Sequence, residues 1–151
     1  MPLMDKSFAT LEEADQFWDD RKDSVWPNTP DQNRKAALIR ATEWIDTRFD
    51  WIGSLLDSDQ PLSWPRKNAW DKEGRLREGI PLELKNATAW LAREAIESEL
   101  DPPAVRGGLI RSVKAGSVAV EWDGSAPSGK TFSHVSRMLK NLTKTGRLRR
   151  G

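Results

Sequence analysis

Between Gln60 and Pro81 the chain interleaves aromatic and basic side chains: Trp64, Arg66, Lys67, Trp70, Lys72, Arg75 and Arg77. Rings beside cations can hold single-stranded nucleic acid, because bases offer flat faces and phosphates offer charge. Asp71, Glu73 and Glu78 dilute that charge, and the two tryptophans are equally suited to anchoring the loop on a core. A second pattern, Gly124 to Thr131 (GSAPSGKT), matches the phosphate-binding motif G-x-x-x-x-G-K-[ST]. A nucleotide site of that kind needs a parallel sheet and a later magnesium-binding acid. No acidic residue follows Thr131, so Gly124 to Gly129 reads instead as a Ser/Pro/Gly linker. His134 is the only histidine, and no Ser, Asp or Glu near it has triad or metal-ligand spacing. We therefore expect no catalytic residue, no metal and no cofactor, and do not read the chain as an enzyme.

Composition sets the frame for those residues. A chain of 151 residues is expected to form a domain with a real core. A net charge of +1 announces neither a nucleic-acid binder nor a membrane-surface protein. Charge is nonetheless polarised along the chain: Glu12, Glu13, Asp15, Asp19, Asp20 and Asp23 lie near the start, and every charge from Arg137 onward is positive. Such polarity suits end-to-end assembly or two different partners, or simply two solvated ends. The absence of cysteine excludes disulfides and the common zinc sites. No long apolar run begins the chain, so neither a signal peptide nor a membrane span is expected. Eight tryptophans without a tyrosine supply large apolar contacts for core or interface.

The elements that must position these residues follow from periodicity. Thr10 with Glu13 forms a capping box before a helix whose apolar face carries Ala14, Phe17 and Trp18. A second helix is expected from Asp31 to about Ile52, with Leu38, Ala41, Ile45, Phe49 and Ile52 inward and Gly53 as its stop. A long structured loop spans 53–80. Pro81 then opens a third helix presenting Leu84, Thr88, Leu91, Ala92, Ala95 and Ile96. Residues 109–122 read as a β-hairpin with Val118, Val120 and Trp122 on one face. Thr131 to Leu142 suggests a last short helix, and TKTGRLRRG a flexible end. The fold class is mainly α: a small bundle of three to four helices with a long loop and a hairpin. Domain organisation is a core over 1–124 and a linker plus basic tail over 125–151.

The order and spacing of several segments resemble the head–tail connector (adaptor) proteins of tailed bacteriophages, a group often labelled DnaT-like single-stranded-DNA-binding proteins. The resemblance rests on Thr10-Leu11-Glu12-Glu13-Ala14-Asp15, on Lys35 to Thr42 leading into Trp44-Ile45-Asp46, and on Gln60 to Arg66. It continues through Asp71, Gly74, Ile80 and Pro81, then Leu84 to Ala89 with Leu91 and Ala92, and ends at Lys114-Ala115-Gly116. Trp64, Pro65, Arg66, Gly74, Ile80, Pro81 and Gly116 are its signature positions.

The resemblance implies a homo-oligomeric ring of about twelve copies beneath the portal protein, in the neck of a virion assembled in the host cytoplasm. Such a ring extends the channel through which double-stranded DNA passes without sequence specificity, and gives a stopper or tail-terminator protein its platform. No membrane partner is implied. In that setting Val135, Met138, Leu139 and Leu142, with Arg137, Arg147, Arg149 and Arg150, are expected to dock on the portal, and Trp64, Trp70 and Trp122 to make ring contacts. The alternative is a replication-associated, DnaT-like protein that binds single-stranded DNA.

Overall fold

The computed structural model describes residues 6–98, 100 and 125–148. The expected hairpin, with Gly116 and Trp122, lies outside them, as do Arg149 and Arg150. Among the described residues there are four α-helices and two small antiparallel strand pairs, so the mainly α reading holds at that level.

Helix α1 (Leu11–Asp20) begins as its sequence dictates. The Thr10 hydroxyl accepts from the Glu13 amide at 3.0 Å, and the Glu13 carboxylate accepts from the Thr10 amide at 2.9 Å. Helices α2 (Asp31–Asp46) and α3 (Leu82–Glu97) form the centre. Their buried faces contain Ala41-Thr42 and Ala87-Thr88, all fully buried. Small side chains there let the two backbones approach, and each threonine hydroxyl is satisfied: Thr88 donates to the Leu84 carbonyl, and Thr42 accepts from the Phe8 amide. Helix α1 and the turn after it are tied to α3 by Lys85–Glu13 at 2.6 Å, Arg93–Asp23 at 3.0 Å and the Trp18 indole donating to the Ala89 carbonyl at 2.9 Å.

The second helix is shorter than its periodicity suggests. It ends at Asp46, and Phe49–Trp51 forms strand β1. Phe49 and Trp51 remain buried, so the apolar pattern is real but belongs to an extended segment. Periodicity alone does not separate a short buried strand from another helical turn. Strand β1 exists because a distant segment pairs with it, strand β4 (Thr143–Leu148), in the register Phe49↔Leu148 and Trp51↔Thr143.

That pairing corrects the reading of the C-terminus. Instead of a linker, Ser125–Met138 is helix α4; Pro127 falls in its first turn, where a missing N–H costs little. A 3-10 turn at Lys140–Leu142 leads into β4, where a flexible end was expected. Phe132 lies parallel to Phe49 with centroids 5.6 Å apart, and His134 sits 4.2 Å from the ring of Trp90. Val135, Leu139 and Leu142 are fully buried in the main core. The described part of 125–151 is thus built into the same body as the helices before it.

Candidate functional site

Between β1 and α3 the chain makes the expected long excursion, and it is ordered by two successive antiparallel contacts. Strands β2 (Ser54–Leu55) and β3 (Arg66–Lys67) pair at its base. Gly53 turns the chain into β2 at φ +72°, and a Cβ there would lie 2.5 Å from the Lys67 carbonyl oxygen. Gly53 is therefore needed for a close crossing, not as a helix stop. Further out, Trp70 and Leu76 form an antiparallel bridge, closed by amides of Asp71 and Arg77 donating to the carbonyls of Arg75 and Ala69.

The base of the loop is a core element. Trp64 is only 2% exposed and meets Trp51 edge-on at 5.8 Å; the Trp64–Pro65 peptide bond is cis. Arg66 donates to three backbone carbonyls, those of Ile52 (2.6 Å), Ser63 (2.9 Å) and Gly53 (3.0 Å). It works as a clamp on the loop, not as a surface cation. Gln60 completes the base by donating to the carbonyls of Leu62 and Pro65. Ile80 packs against the core, and Pro81 caps α3, its carbonyl accepting from the amides of Leu84 and Lys85.

The tip is organised around Asp71. Its side chain is enclosed, with one oxygen accepting from the amides of Glu73 (2.8 Å) and Arg75 (2.9 Å), and the other from Arg75 Nε (3.0 Å) and Arg77 Nη1 (3.1 Å). Enclosure opposes its charge. The Arg75 amide, the Arg77 guanidinium and the Glu73 amide outweigh that penalty and hold its pKa at about 2, below the ordinary 3.8. Arg77 then bridges to Glu83 at 2.5 and 2.9 Å, fastening the tip to the first turn of α3; that guanidinium in turn lowers the pKa of Glu83. Gly74, at φ +82° with open space around it, makes the tight turn that delivers Arg75 back to Asp71.

What the tip presents is Trp70, 58% exposed, beside Leu76 at 42%, with Lys67 and Lys72 also exposed. The structure thus divides the aromatic–basic stretch. Trp64, Arg66 and Arg77 are committed internally, while Trp70, Lys67, Lys72 and the 57%-exposed Arg75 face solvent. Of the acids that dilute the charge, Asp71 is a fastener of the loop. Asp71 with Arg75 and Arg77 was the available signal, a carboxylate followed at short spacing by two guanidiniums.

The residues expected to dock on a portal separate similarly. Val135, Leu139 and Leu142 fill the chain's own core, and Met138 is partly buried against it. Arg137 is exposed, and Arg147 lies in β4. The phosphate-loop pattern is not formed, since 125–131 belongs to helix α4, whereas a phosphate cradle requires a loop. Among the described residues no group of three or more His, Cys, Asp or Glu could hold a metal, and no helix is long and apolar enough to cross a membrane.

A concavity lies on the opposite side of α1 from its packed face. It is a groove of about 410 Å³ between α1 and the connector to α2, walled by Trp26 and Pro27 and rimmed by Glu12, Asp15 and Asp19. Asp15 accepts from the Trp26 indole and from Arg34, both at 2.7 Å, and Arg34 also pairs with Asp31.

Comparison with known proteins adds one match. The family described as "Putative DnaT-like ssDNA binding protein" matches residues 5–151. No curated protein and no solved structure matches the chain.

Proposed function

The chain belongs to the family described as putative DnaT-like ssDNA binding proteins, and from that premise we propose that it is a structural assembly protein. In this reading it is a head–tail connector of a tailed phage, forming a ring under the portal that extends the DNA channel and seats a stopper or tail protein. One observation carries it: Trp70 and Leu76 are exposed together on a loop whose nearby arginines are neutralised by the chain's own carboxylates. A rigid aromatic on a fastened loop suits a protein contact, where aromatic anchors dominate the energy. Among the described side chains of the C-terminal segment, Arg137 on the exposed face of α4 and Lys140 in the turn after it are available to a portal, because the apolar side is already buried.

Single-strand binding is the second reading, favoured by the family description and by Trp70 standing between Lys67 and Lys72. Anisotropy with a labelled single-stranded oligonucleotide across a salt series separates the two. The connector reading expects weak binding with a shallow salt slope, together with the protein appearing as a ring in electron micrographs of phage necks. Tight binding whose logarithm falls steeply with log salt, lost in Trp70→Ala, would establish the second reading.

A further inference from the structure

Trp70 and the groove beside Trp26 have neighbours of opposite charge. The first is a large indole exposed on a fastened loop and flanked by Lys67 and Lys72, with Arg75 nearby. The second is a concavity beside the buried Trp26, lined by Pro27 and Gln16 and carrying an acidic rim, in the volume range that takes a small organic group. The loop contributes no residue to the groove, so a chain's own Trp70 does not fill it. Glu12 and Asp19 are exposed and carry no ion pair among the described residues, leaving their charge available to an incoming cation.

We propose that Trp70 of one chain docks into the groove of a second copy, with Lys67 and Lys72 against Glu12 and Asp19. The proposal rests on the assembly reading above and names the contact it uses. Plug and socket lie on different parts of one chain, so the contact is heterologous. Each copy accepts one neighbour and is accepted by another, which yields a closed ring or an open filament according to the rotation per step. The acidic rim comes from α1, near the start of the chain, and the basic flank from the loop before α3.

The test uses full-length protein in analytical ultracentrifugation, with circular dichroism verifying the fold of each variant. Wild type is expected to self-associate with rising concentration. Trp70→Ala should weaken association at least ~30-fold, the effect of losing an interface hot spot of about 2 kcal/mol. Glu12→Lys with Asp19→Lys should weaken it at least ~10-fold, through two rim charges that now repel. The decisive measurement mixes the two variants: one retains the socket and the other the plug, so a one-to-one heterodimer should form where neither associates alone. Wild-type association by both variants would overturn the plug-and-socket contact while leaving the connector reading to the neck micrographs. A wild-type chain monomeric at every concentration overturns the contact too. Absence of the protein from purified necks overturns the reading beneath it.

Discussion

Trp64 and Trp70 belong to one loop, share a residue type and have basic neighbours, yet they end in opposite environments. Trp64 is sealed against Trp51 at the loop's base, where Arg66 draws three carbonyls together. Trp70 stands in solvent on a tip whose arginines are turned back onto Asp71 and Glu83. The base is held by packing and the tip by charge. A tryptophan is thus an anchor or an offered surface according to what the surrounding backbone can close over, and its sequence neighbours do not decide which.

The largest expected effect tests whether the base depends on the C-terminal segment. Deleting residues 132–151 removes Phe132, Val135, Leu139 and Leu142 from the core and β4 from β1, and should abolish cooperative thermal unfolding. A cooperative melt after deletion would place that segment outside the core. Trp64→Ala comes next, with an expected loss of about 3–5 kcal/mol in urea denaturation, from lost burial and the cavity left behind.

Two glycines probe the same contrast through the backbone. Gly74→Ala should cost about 1–2 kcal/mol, the strain of a side chain in the left-handed region, since a Cβ there meets open space. Gly53→Ala should cost more than that, because its Cβ also meets the Lys67 carbonyl at 2.5 Å. Equal melting shifts for the two would mean that the base is no more tightly closed than the tip.

Acid should release the tip before the base. Asp71 titrates at about 2 in the folded chain against an ordinary 3.8. Its folded pKa is depressed, so its contribution is complete above about 3.8 and is lost as pH falls through about 2. The Trp70 indole resonance, followed by NMR from pH 5 downward, should move in that window and should lack the step in Asp71→Asn. The smallest effect belongs to Trp70→Ala, expected within about 0.5 kcal/mol of wild type because the ring is mostly in water. A large loss there would make Trp70 a second anchor and erase the contrast.

Local chemistry was legible wherever a few neighbouring residues decide the outcome. The Thr10–Glu13 capping box, the start of α3 after Pro81 and the burial of Ala41 in α2 and Thr88 in α3 each follow from short-range spacing and side-chain size. The long loop was visible as a stretch whose prolines, glycines and tryptophans match neither flanking helix. Illegible features depend on distant partners. Nothing within Phe49–Trp51 or Thr143–Leu148 reveals that they pair, so the first read as more helix and the second as a loose end.

The candidate site divides along the same line. Residue type alone marked Trp64 to Arg77 as the stretch able to stack, pair and bind, because few other side chains combine a large ring or guanidinium with that density. Only tertiary structure could assign the roles. Whether a tryptophan is buried depends on a surface elsewhere in the chain being free to cover it, and whether an arginine faces solvent depends on a carboxylate being within reach. Trp51 covers Trp64. Asp71 and Glu83 claim Arg77. Trp70 is left exposed.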